Sequence, residues 1–96
     1  MISTKERATL RSFANNLPDL VFVGKDGVTD NVVKQVVDNL TAHELIKIKV
    51  QQNSDLTPRE VCDELVKQTG AEPISVVGSK IVLYKRTNKK GFKHYL

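Results

Sequence analysis

The 96-residue sequence contains one cysteine, no tryptophan and no run of apolar residues longer than four. Each shortage removes a class of protein. A lone cysteine, Cys62, cannot close a disulfide within the chain, so a packed core must hold the fold, and a reducing compartment is the natural setting. The longest apolar runs, Leu20–Val23 and Ile81–Tyr84, fall far short of the roughly 20 residues of a membrane helix and of a secretory h-region. His43 and His94 lie far apart, and no Cys/His cluster has metal-ligand spacing, so no metal or other cofactor is expected. The spacing of a Walker A loop, which would cradle a nucleotide, is also missing. No nucleophile–base pair is apparent, and the chain does not read as an enzyme.

Acidic residues are missing from one stretch only. Residues 1–79 carry nine basic and eleven acidic side chains, whereas 80–96 carry Lys80, Lys85, Arg86, Lys89, Lys90 and Lys93 with no acid. The formal net charge of +4 and the pI of about 9.3 therefore belong to the C-terminal segment, and an anionic partner is expected. At 40% hydrophobic and 27% charged residues the chain should fold, and its length suits one small domain.

The pattern of apolar residues orders the elements. Ser3 and Glu6 form a capping box that opens a helix through about Asn16, with Leu10, Phe13, Ala14 and Leu17 on one stripe. Leu20–Val23 reads as a short strand buried on both faces. Thr29 or Asp30 then caps a second helix, whose apolar side holds Val32, Val33, Val36, Val37 and Leu40. Leu45–Val50 alternates, with Lys47 and Lys49 on a wet face. Thr57-Pro58-Arg59-Glu60 opens a third helix in which Cys62 belongs to the buried stripe, as an inert thiol. Ile74–Val77 and Lys80–Arg86 pair as a hairpin through Gly78-Ser79. Residues 87–96 read as a mobile basic tail to a single domain spanning 1–86. The expected fold is α/β, a helix followed by β-α-β-α-β-β. It should be a two-layer sandwich with a small mixed sheet, two parallel pairs and an antiparallel hairpin strand.

One junction carries chemistry. In Val23-Gly24-Lys25-Asp26-Gly27-Val28-Thr29, glycines at both ends permit a tight turn and close approach to a ligand. The following helix offers its free N–H groups to a phosphate oxygen, and such ligands bind at the carboxyl ends of strands in open α/β sheets. Lys25 adds a mobile positive charge.

The blocks KERATLRSFAN, VFVGKDGVTDNVV, AHELIKIKV, TPREVCDEL and VVGSKIVLYKR follow one another over about residues 1–86. In order and spacing they resemble the CRM domain, the chloroplast RNA splicing and ribosome maturation family, above all its bacterial single-domain YhbY-type members. The resemblance implies a KH-like fold, similar to the C-terminal domain of bacterial translation initiation factor three, with a GxxG loop that clamps nucleotide backbone. It implies a cytoplasmic, non-enzymatic RNA-binding protein that associates with precursors of the large ribosomal subunit. Gly24, Lys25, Asp26 and Gly27 would form the RNA-facing loop, extended by Arg7, Arg11, Lys80, Lys85 and Arg86. Asp26 stands where a glycine or basic residue is common in the family, and it cancels Lys25 locally. The five aromatic residues, Phe13, Phe22, Tyr84, Phe92 and Tyr95, fall mostly in core-like or tail positions, so little base stacking is expected. The alternative is a module that docks on an acidic ribosomal protein or assembly factor.

Overall fold

The computed structural model describes residues 2–88, 91, 94 and 95. Its elements are α1 (Thr4–Ala14), β1 (Asp19–Val23), α2 (Asp30–His43), β2 (Leu45–Val50), α3 (Pro58–Thr69), β3 (Glu72–Val77) and β4 (Lys80–Tyr84). Both capping boxes form. The Ser3 N–H donates to Glu6 and the Glu6 N–H to Ser3 Oγ at 3.0 and 3.1 Å, and Thr57 and Glu60 repeat the exchange. Thr29, rather than Asp30, caps α2, accepting from Val32 N–H at 3.1 Å.

The strand order is β1-β2-β4-β3. β1 and β2 are the expected parallel pair, but β2 and β3 are not neighbours. β4 lies between them, antiparallel to both, and Ile81, Val82, Leu83 and Tyr84 are all buried because helices pack against both of its faces. Ile81 and Leu83 join the core beneath α2 and α3 with Val36, Ile46, Ile48, Val61 and Leu65. Val82 and Tyr84 join a separate cluster under α1 with Leu10, Ala14, Leu45 and Ile74. The sheet with α2 and α3 is the expected sandwich, and α1 packs across the opposite face.

That opposite face is only half covered. Its rungs follow from the register. Leu45, Tyr84 and Glu72 are aligned beneath α1, followed by Asp19, Lys47, Val82 and Ser75, then Phe22, Lys49, Lys80 and Val77. The end of α1 borders the last rung across a groove and leaves Phe22 and Val77 exposed at its two ends. β1 is thus an edge strand with one open side, and Phe22 is 50% exposed where burial on both faces was expected.

The C-terminal segment also departs from expectation. Within the stretch expected to be a mobile tail, Thr87, His94 and Tyr95 are docked on Glu44, whose carboxylate has no solvent exposure. Glu44 accepts from Thr87 N–H at 3.1 Å and Tyr95 N–H at 3.0 Å, and His94 Nδ1 lies 2.5 Å away. The Tyr95 ring packs on Phe13 with centroids 5.3 Å apart. Glu44 itself sits at φ +69°, a strained conformation for a side chain of this size. Its backbone is pinned by bonds from its N–H to Leu40 O and from Lys85 N–H to its carbonyl. Lys89, Lys90 and Lys93, which supply half of the C-terminal charge, lie outside the described residues.

Burial alone would raise the Glu44 pKa; the bonds from His94, Tyr95 and Thr87 outweigh it and hold the carboxyl below its ordinary value. A depressed folded-state pKa stabilises the protein above the unfolded value of about 4.3, and that contribution disappears as pH falls through the folded value. Glu44→Gln should therefore lower stability at pH 7 by about 2–4 kcal/mol. Urea titrations should show the gap between variant and wild type closing as the pH is taken below about 4.

Candidate functional site

The Gly24–Gly27 loop leaves the carboxyl end of β1. The loop after β2 leaves the sheet beside it, because parallel neighbours end at the same edge. Gly27 N–H donates to Gly24 O at 3.0 Å, closing a turn, and Thr29 N–H donates to Gly27 O at 3.1 Å as the chain enters α2. Lys25 and Asp26 project from the tip and are exposed, and among the described residues neither has an ion-pair partner.

The two glycines have different reasons to be glycine. Gly27 has φ +71°, where an L side chain is strained, although the space around it is adequate, with Leu56 Cδ1 3.5 Å from where a Cβ would stand. Gly24 has no such backbone demand. A Cβ there would stand 3.0 Å from Gln51 Oε1 and 3.4 Å from Asn53 Oδ1. These exposed amides of the β2–α3 loop are the site residues that the sequence reading missed. The parallel pairing of β1 with β2 was the signal that could have found them.

The basic residues expected to extend the site divide into two groups. Arg11 and Lys80 lie at the loop end of the sheet, lining a groove of about 230 Å³ with Lys47, Ser75, Val77 and Val82. Lys80 is also bonded to Asp19 across β2. Arg7, Lys85 and Arg86 belong to the opposite end. Arg7 clasps α1 to β3, donating to Pro73 O with Glu72 3.8 Å away. Lys85 Nζ donates to Thr69 O at 2.7 Å and closes the end of α3. Arg86 is exposed beside the buried Tyr84 hydroxyl, whose pKa is raised by burial and by the Glu44 charge, against a hydrogen bond from Arg86. The structure therefore brings Gly24–Gly27, Arg11 and Lys80 to one end of the domain and leaves Arg7, Lys85 and Arg86 at the other.

Nothing at the loop resembles a reacting centre. Cys62 is buried in α3, and burial first, then the Asp63 charge, pushes its thiol pKa up, away from the thiolate a nucleophile needs. Among the described residues no group of three or more His, Cys, Asp or Glu side chains could hold a metal ion, and no helix is long and apolar enough to cross a membrane. With Asp26 and Asp30 facing Lys25 and Lys34 in charge count, the loop and first turns of α2 offer backbone N–H groups rather than net positive charge.

The family model described as the CRS1 / YhbY (CRM) domain matches residues 2–85. The chain is 39% identical over 89 residues to a Bacillus subtilis protein named "Probable RNA-binding protein YqeI", covering 93% of each chain. It is 32% identical over 84 residues to a Haemophilus influenzae protein named "RNA-binding protein", covering 88% of this chain and 85% of that one. The solution structure of the hypothetical protein SAV1595 from Staphylococcus aureus superposes with a TM-score of 0.79 at 36% identity, covering 94% of each chain.

If Gly27 is required for its backbone and Gly24 for its neighbours, alanine should separate them. Gly27→Ala should cost about 1 kcal/mol in urea unfolding. Gly24→Ala should stay within about 0.5 kcal/mol, because the Gln51 amide is the far end of a flexible side chain and can move.

Proposed function

The chain belongs to the CRS1 / YhbY (CRM) domain family, and from that membership we propose that it is a non-enzymatic RNA-binding protein of the cytoplasm. Its RNA is that of the large ribosomal subunit, bound in precursor particles whose assembly it assists. The exposed Gly24–Gly27 turn carries the proposal. It stands at the carboxyl ends of the parallel strands β1 and β2 and opens directly into the N-terminus of α2. A nucleotide backbone laid across this turn meets the main-chain N–H groups that the turn and the Thr29 cap leave over, and the positive end of the helix dipole.

Lys25 supplies a movable cation, and the amides of Gln51 and Asn53 supply donors and acceptors beside Gly24. Arg11 and Lys80 extend the contact from the same end of the sheet. Arg7, Lys85 and Arg86 would reach only RNA that wraps to the far end. With Asp26 offsetting Lys25, affinity depends on geometry at the loop and on charge drawn from elsewhere on the surface.

Gly27→Asp places a carboxylate at the point of closest approach, in a conformation that aspartate tolerates better than most side chains. The variant should keep its circular dichroism spectrum and lose at least about tenfold in affinity for ribosomal RNA fragments, a loss of about 1.4 kcal/mol. Unchanged affinity in the folded variant would sink the loop mechanism. For a single-stranded fragment, log K should fall with log salt at a slope of about −0.7 per neutralised phosphate. Sedimentation of lysate with and without ribonuclease separates RNA binding from docking on a protein. Co-migration with large-subunit particles should be lost when exposed RNA is removed.

A further inference from the structure

We infer that the uncovered half of the α1 face of the sheet is a second contact surface for single-stranded RNA, on which Phe22 stacks a base. This rests on the RNA-binding reading above and adds to the loop a different kind of contact. Four observations carry it. Phe22 lies between Val21 and Val23, which are fully buried on the α2/α3 side, so its own ring projects to the other face, where it is half exposed. The register aligns Phe22, Lys49, Lys80 and Val77 in one rung across all four strands, two lysines flanked by two exposed apolar side chains. Lys47 on the next rung and Arg11 at the end of α1 add positive charge around the groove. The one acid on these rungs, Asp19, is already bonded to Lys80.

An aromatic ring set among cations, with little acid nearby, complements a chain that carries flat bases on a charged backbone. Such a surface takes single-stranded nucleic acid, since a base in a duplex has its faces occupied. Phe22 is two residues before Gly24, so the platform and the turn are continuous at the end of β1. A strand whose backbone is held by the loop can run directly over the β1 and β2 side chains. Lys49 stands one strand spacing from Phe22, about 5 Å, and meets the phosphate of the adjoining nucleotide, while Lys80 one strand further is held by Asp19. The ring's exposure at an edge strand also means that the fold does not depend on it.

Binding of oligouridylates of four and twelve nucleotides to the full chain tests this. Phe22→Ala should weaken the twelve-mer by about tenfold or more while leaving the four-mer within about twofold, and Phe22→Tyr should restore the twelve-mer. Because the natural chain has no tryptophan, the Phe22→Trp variant carries a single indole, whose fluorescence should be quenched on binding the twelve-mer. Lys47→Gln and Lys49→Gln should each reduce the salt slope by about 0.7. Wild-type affinity in Phe22→Ala together with an unresponsive indole in Phe22→Trp overturns the inference. If Gly27→Asp still abolishes binding in that case, the loop reading survives alone. If Phe22→Ala weakens the twelve-mer and Gly27→Asp does not, the sheet face stands and the loop reading falls. A wild-type chain that binds neither oligomer at low salt overturns both.

Discussion

A strand that is apolar on both faces needs a packed layer against each of them. Most of this architecture follows from applying that constraint to Ile81–Tyr84. Placing β4 between β2 and β3 divides the core into two clusters and assigns α2 and α3 to one and α1 to the other. It also sends β1 and β3 to the edges. A helix of only 11 residues, α1 crosses part of its face and stops, and the remaining rungs face solvent. The open platform and the loop beside it are thus consequences of how one central strand is buried.

Much of this was legible in the sequence, because local chemistry decides it. Two capping boxes, a threonine N-cap, the alternation of Leu45–Val50 and the Gly78-Ser79 hairpin are each set within a few residues, and each stands where its pattern placed it. The neighbours of β4 were not legible in this way. Leu20–Val23 and Ile81–Tyr84 are both four-residue apolar runs, yet one forms an edge with an exposed phenylalanine and the other the centre. Only the competition between them for the middle of the sheet tells them apart, and composition does not encode it.

Glu44 was illegible for a related reason. A glutamate at the end of an amphipathic helix reads as solvated, and nothing within a few residues of it announces burial. Its partners, Thr87, His94 and Tyr95, are some 40–50 positions away and come from the segment with the least periodicity. The charge count carries a similar lesson. Lys80 and Lys85, counted towards a basic C-terminal segment, are committed to Asp19 and to the end of α3. The loop that presents main-chain donors carries opposing charges on its two middle residues. Under the proposed function, attraction and contact are therefore supplied by different parts of the molecule.

Ile2 and Tyr95 both pack against the cluster that contains Leu45 and Tyr84, at the end of the sheet remote from Gly24–Gly27. Ile2 and Tyr95 therefore share one pole while the turn and the open rungs occupy the other. A segment that approaches the domain beside Ile2 or Tyr95 meets it away from those surfaces and leaves the distal pole unobstructed. The geometry suits the fold to use as an interchangeable bead, joined to others through one pole.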